Sequence, residues 1–351
     1  MFAKSIVTKG GDVFRDEYSL AFDGSNDYVH TNFVASNEGI TNDVTVSCWF
    51  KAADLAASSN AFVWNFYQST SDGFGVKFSS STFKIIADID NADANLYTTT
   101  LDINKWYLAV VVIDSLEVKL YINGVLEGSG TSVADGLDSF TSNFYIANRK
   151  GAAGTGEFNG NISEIAIYNS ALTANQVKTI YNGREPYNHK EGVASGNLQA
   201  WYRMGDGVLD DFNLIGDETN ATLGSDVLSG STWNDTDANW SESGGVVTAS
   251  GATGTAYITS VLTQGKTYKI VYTASVTSGS FRFLIGGTNG NLITSSGDYV
   301  EYKVCTSSNH INIDGVSSFT GNVSNITVQQ VGDNAGLMTN MEAIDFEGDT
   351  P

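Results

Sequence analysis

The chain has 351 residues, more than one β core usually organises, so two domains are expected. Thirty-seven glycines, only two prolines and abundant Ser, Thr, Asn, Tyr and Phe are the mixture of turn and strand formers used by all-β proteins. A net charge of −21 repels phosphate backbones and anionic bilayers, which argues against nucleic acid and membrane as partners and favours cations.

The N-terminal arm, residues 1–16, has no apolar run long enough for a signal peptide, and no stretch of the chain is apolar for long enough to span a bilayer as a helix. Synthesis in a cytoplasm without that route of secretion is therefore expected. Tyr18 to Val29 reads as a short strand, a Gly-Ser-Asn-Asp turn and a second strand. Val44 to Lys51 alternates as another, with Cys48 on one face and Trp49 on the other; Ala61 to Tyr67, Gly75 to Phe78 and Phe83 to Asp88 follow.

The clearest signal is Trp106 to Gly128. Leu108, Val110 and Val112 alternate with Ala109, Val111 and Ile113, so this strand is apolar on both faces and is expected to be covered on both sides. After Asp114-Ser115, Leu116, Val118, Leu120 and Ile122 make a strand apolar on one face. Asn123-Gly124 then suits the positive φ angles of a type I′ turn, returning Val125-Leu126 as a third strand. Phe144 to Ala147 and Gly160 to Tyr168 bring the count to ten to twelve strands, as in a double-sheet jelly roll.

One helix is expected within Leu172 to Gly183. Thr173 is the N-cap, Gln176 completes a capping box, Leu172 and Val177 form a hydrophobic staple, and Gly183 ends it. Residues 186–232 form a Gly- and Asp-rich connector, ordered because Leu198, Trp201, Tyr202 and Met204 need a face to pack on. From Trp233 eight or nine short strands mark a second sandwich, residues 233–332. The acidic tail, residues 333–351, is expected to be extended against a neighbour or disordered. The fold class is thus all-β: two jelly-roll β-sandwich domains joined by an ordered connector, with one short helix near the end of the first.

FDGSNDYV, VTVSCWFKA, LYINGVLEG and GNISEIAIYNSALTANQVKTIYNG occur in the order and spacing of the laminin G-like, concanavalin A-like jelly-roll family, which residues 17–185 resemble. AWYRMGDG resembles a segment that accompanies such domains in tailed-phage virion proteins. WNDTDANWSES with LTQGKTYKIVYTASVTSG, GDYVEYKV and FTGNVSNITVQQV resembles carbohydrate-binding-module-like jelly rolls of phage structural proteins. The resemblance implies the fold strongly and the function less so, because this fold hosts glycan binders, adhesion modules, glycosidases and structural domains.

Candidate chemistry is sparse. There is no G-x-S-x-G elbow, and His30, His189 and His310 read as surface histidines. The E-x-D-x-E strand of one group of concanavalin A-like glycosidases does not occur, and Asp88 and Asp90 read as part of a solvated loop. Calcium is the ion to expect, as laminin G-like domains often hold one. Asp23 and Asp27 with Glu164 are the candidate ligands, against the simpler reading that the two aspartates shape a turn. Trp233 and Trp240, set among Asn234, Asp235, Asp237 and Asn239, are candidate glycan contacts, against packing in the core or at its rim. Trp49 and Trp106 are expected in or near the core, and Cys48 and Cys305 are expected to be buried free thiols.

These readings converge on a non-enzymatic virion component of a tailed phage: a head decoration, head fibre or tail-associated protein, homo-oligomeric, bound to capsid or tail proteins and to host cell-surface glycan. A bacterial glycan-binding or adhesion protein is the alternative, and a polysaccharide-degrading glycosidase the third.

Overall fold

The computed structural model describes residues 5–7, 13–54, 61–67, 73–79, 82–89, 101–115, 117–131, 141–150, 156–211, 213–235 and 238–351. Ser5–Val7 and Val13–Arg15 pair as a small antiparallel ribbon. Asp90, Leu116 and Asp237 lie outside the described residues. The chain divides into two compact units, one formed by residues 1–221 with 334–351 and the other by residues 222–333. The second unit is therefore inserted into the sequence of the first.

Among the described residues, the first unit contains an eight-stranded and a seven-stranded antiparallel sheet. The eight-stranded sheet runs Val125–Thr131, Glu117–Ile122, Tyr107–Asp114, Val44–Ala52, Asn159–Tyr168, Ser19–Asp23 and Phe346–Glu347, with Leu198–Tyr202 also on Asn159–Tyr168. The seven-stranded sheet runs Leu214–Ile215, Gly336–Thr339, Tyr28–Val34, Asn143–Ile146, Phe62–Tyr67, Gly73–Ser79 and Thr82–Ile89. Val46, Phe50, Val111 and Ile162 of the first meet Val29, Phe33, Trp64 and Phe66 of the second in one core, as sheet-on-sheet packing requires.

The doubly apolar strand is explained by what covers it. Ala109, Val111 and Ile113 enter that core. Leu108, Val110 and Val112 face the other way, beneath Leu172, Val177 and Ile180 of the helical segment and Trp201. The helix is Ala174–Tyr181, capped by Thr173 with the capping box formed, and closed by Asn182 in the left-handed region (φ 47°) rather than by Gly183 alone. Asn123 and Gly124 both have positive φ, 51° and 78°, which is the turn their sequence called for.

Two segments differ from the sequence reading. Residues 198–202, expected within a connector, are a strand of the eight-stranded sheet, with Trp201, Tyr202 and Met204 buried. The acidic tail is ordered and extended along strands of the first unit. Gly336–Thr339 pairs with Tyr28–Val34, and Phe346–Glu347 pairs with Ser19–Asp23, so the tail adds a strand to each sheet. Asp349 accepts from Trp106 Nε1 at 3.0 Å and pairs with Lys51, and Ser19 Oγ donates to its carbonyl at 2.6 Å. Turn-forming, acidic composition concealed two short strands that need an existing edge to form.

Among the described residues, the second unit is a sandwich of a six-stranded and a five-stranded sheet. The larger runs Trp240–Ser243, Val246–Ala252, Phe319–Val331, Thr267–Ser278 and Gly297–Val304, with Leu223–Asp226 also on Phe319–Val331. The smaller runs Asn234–Asp235, Thr255–Ile258, Ile311–Gly315, Phe281–Ile285 and Thr288–Asn289. Ile270, Tyr272 and Val323 face Phe281, Phe283 and Ile313 across the core. Cys48 and Cys305 are buried free thiols, each in its own unit. Among the described residues no helix is long and apolar enough to cross a membrane.

Candidate functional site

In the second unit the terminal strands of the two sheets, Trp240–Ser243 of the larger and Asn234–Asp235 of the smaller, border one depression of about 180 Å³, its open mouth included. Gly244 and Gly245, with φ of 60° and 79°, turn the first of these strands back on Val246–Ala252. The cleft is lined by Trp233, Asn234, Asp235, Ser241 and Glu242, over Val247 and Ala256. It is a shallow, open depression rather than an enclosed pocket, so a ligand would lie against its wall instead of being engulfed.

The two tryptophans divide their roles. Trp233 is half-buried, packs its inner side on the core and forms part of the cleft. Trp240, expected as a second platform, is 4% exposed: its Nε1 donates to the Gly254 carbonyl at 3.1 Å and its ring tilts against Phe319 at 5.9 Å. It is a core residue with an edge on the cleft, and the Ser241 and Glu242 that follow it are exposed. Asn234 is exposed on the edge strand, its Nδ2 3.4 Å from the Thr232 carbonyl. Sequence reasoning placed Asp235 beside the tryptophans but missed Ser241 and Glu242, although they directly follow Trp240; only pairing of the edge strands brings them together.

The three candidate calcium ligands do not form one site. Asp23 Oδ1 accepts from the backbone of Ser25 and Asn26, and Asp27 Oδ2 accepts from Asp23 N at 3.1 Å, so the two aspartates build the turn between their strands. Burial pushes the Asp27 carboxyl up to about 6. Asp23 pairs with Asn159, and Glu164 lies five residues further along that strand, roughly 16 Å away at the usual rise. Among the described residues no group of three or more His, Cys, Asp or Glu is placed to hold a metal ion.

Glu164 instead organises a buried ionic cluster. It sits at a bulge (φ 50°), where Ser19–Asp23 and Leu198–Tyr202 both run along Asn159–Tyr168 and meet end to end. It accepts from Trp201 Nε1 at 2.5 Å and Arg203 Nε at 3.1 Å. Asp16, 2% exposed, accepts from Ser163 Oγ at 3.3 Å, and Asp206 accepts from the backbone of Glu17 and Tyr18. Burial, and then the neighbouring carboxylates, push the Asp16 carboxyl well above its ordinary range; burial also raises Glu164, against the pull of Arg203 and Trp201. The phrase AWYRMGD thus supplies Trp201, Arg203 and Asp206 to one structural junction.

The histidines separate as well. His30 is exposed and stacks on Tyr145 at 5.0 Å, and His310 is exposed just before its strand. His189, read as a surface residue, is 2% exposed; its Nδ1 shares a 2.5 Å hydrogen bond with Tyr168 Oη, and burial holds its pKa down at about 3. Its flanking polar sequence masked the aromatic nest of Tyr168, Tyr187 and Trp201 that encloses it.

Residues 23–178 match the model of the concanavalin A-like lectin/glucanases superfamily, and the laminin G-like jelly roll recognised from sequence stands over that stretch. Among solved structures, a Bacteroides ovatus protein described as carbohydrate binding is 17% identical with a TM-score of 0.46, the alignment spanning 61% of each chain. Domain 4 of AbnA, a GH43 extracellular arabinanase from Geobacillus stearothermophilus in complex with arabinotriose, is 19% identical with a TM-score of 0.38, over 52% of this chain and 82% of that one. The CBM40 of Ruminococcus gnavus IT-sialidase bound to α2,3-sialyllactose is 14% identical with a TM-score of 0.36, over 46% of this chain and 96% of that one. No curated protein matches the chain.

Proposed function

We propose that this protein is a non-enzymatic attachment component of a tailed-phage virion, a head decoration, head fibre or tail-associated protein that engages host cell-surface glycan. The observation that carries the glycan reading is the half-buried Trp233, an aromatic wall among polar side chains on a shallow open depression against which a sugar ring could stack. The lectin-superfamily match of residues 23–178 is consistent with it. The resemblance of AWYRMGDG and the second sandwich to phage structural proteins supports the virion setting. Many copies on one particle turn a weak single contact into useful avidity.

The placing of the most deeply buried acids supports binding without turnover. Glu164 and Asp16, two of the carboxyls whose proton affinity burial raises, are 1% and 2% exposed and engaged with Trp201, Arg203 and Ser163, out of reach of a polymer. Glu242 in the cleft already accepts from Gly245 N at 3.0 Å to hold its turn. A glycan array probed with and without chelator tests the sugar and calcium expectations together, and immunolabelling of purified particles tests location. Binding on the array and label on capsid or tail support the proposal; a particle free of label refutes the virion role.

A further inference from the structure

The lining of the cleft selects by charge. Among the described residues its polar side chains are the carboxylates of Asp235 and Glu242, the amide of Asn234 and the hydroxyl of Ser241, with no cationic side chain in the lining. Of the two indole N–H groups in the lining, that of Trp240 is committed to the Gly254 carbonyl, which leaves the Trp233 indole, the Asn234 amide and the Ser241 hydroxyl as the donors. Glu242 gives one oxygen to Gly245 N and keeps the capacity of the other, since a carboxylate accepts about four hydrogen bonds. What remains is mostly acceptor, beside an aromatic wall.

We infer that this cleft takes neutral or amine-bearing saccharides and turns away those carrying a carboxylate or sulfate. The inference rests on the glycan reading proposed above. A sugar ring offers an apolar C–H face to Trp233 and hydroxyl donors to the acceptors; an ammonium in place of one hydroxyl adds a charge-assisted bond. An acidic sugar brings a like charge against Asp235 and Glu242 and gains no cation in return. The net charge of −21 acts in the same direction over a longer range.

The test uses the full chain and three sets of oligosaccharide: neutral glucose oligomers, glucosamine oligomers, and the acidic pair α2,3-sialyllactose and oligogalacturonate. Affinities are measured at low and at 0.5 M salt, with Trp233→Ala and the double change Asp235→Asn with Glu242→Gln. The expected result is Trp233-dependent binding of the neutral or amine set, tenfold or more tighter than the acidic set. Salt should narrow that gap in the unmodified protein, and the double change should narrow it at low salt, so the inference does not hang on one variant. Trp233-dependent binding of acidic sugars as tight as that of neutral ones overturns the charge selection and leaves the glycan reading standing. Failure to bind any of the three sets through Trp233 overturns the glycan reading itself, and the selection with it.

Discussion

Two tryptophans seven positions apart, in similar polar surroundings, are expected to behave differently when removed. Trp240→Ala takes a 4%-exposed side chain and its hydrogen bond from the core of the second unit and should cost about 3–5 kcal/mol. Trp233→Ala removes a half-buried wall and should cost under about 2 kcal/mol, while weakening glycan binding at least tenfold. Thermal unfolding and a binding titration on each variant separate the two effects. The sequence marked both residues as candidates but could not rank them, because Trp240 is placed by pairing with Val246–Ala252. Glu164 was selected for the wrong chemistry for a similar reason: its partners Trp201 and Arg203 are nearly forty residues away along the chain.

The buried acids of the first unit also set its response to pH. Asp210 and Asp217, like Asp27, are pushed up to about 6 by burial, and Asp16 and Glu164 are raised for the same first reason. Each group holds its proton more tightly folded than unfolded, where the value is near 4. The stability they contribute is therefore fully present below about pH 4 and is lost as pH rises through about 6 and above. The melting temperature of the first unit should fall between pH 5 and pH 8, and Glu164→Gln should flatten that fall. A melting temperature that rises across the interval would contradict this description of the cluster.

At the level of elements, the meander of residues 107–126 and the helix were legible because their signals are local. Two-residue alternation, Asn-Gly and a capping box need no distant partner, and the structure keeps all three. Thr173→Ala removes the cap that accepts from Gln176 N and should destabilise the first unit by about 1 kcal/mol, read by chemical denaturation. The tail strands were not legible. Gly336–Thr339 and Phe346–Glu347 are too short to declare themselves and form only against the free edges of Tyr28–Val34 and Ser19–Asp23.

For the whole molecule, the consequence of those strands is a discontinuous first unit with the second inserted at residues 222–333. Truncation after Asp333 should destabilise the first unit, by removing strands from both sheets and the Asp349 contacts with Lys51 and Trp106, and should leave the second intact. The segments entering and leaving the insert are bonded to each other, Gly332 N to the Thr222 carbonyl at 2.9 Å, so a short linker from Ala221 to Asn334 should yield a folded first unit. Differential scanning calorimetry of both constructions reads this as the loss of one transition or the other.

The most direct measurement captures a surface glycan extract on immobilised protein, elutes it and determines by mass spectrometry whether the retained chains are intact. The predicted result is retention that depends on Trp233, with the eluted chains unshortened. Chains eluted as cleavage products, or retention unchanged by Trp233→Ala, would contradict it.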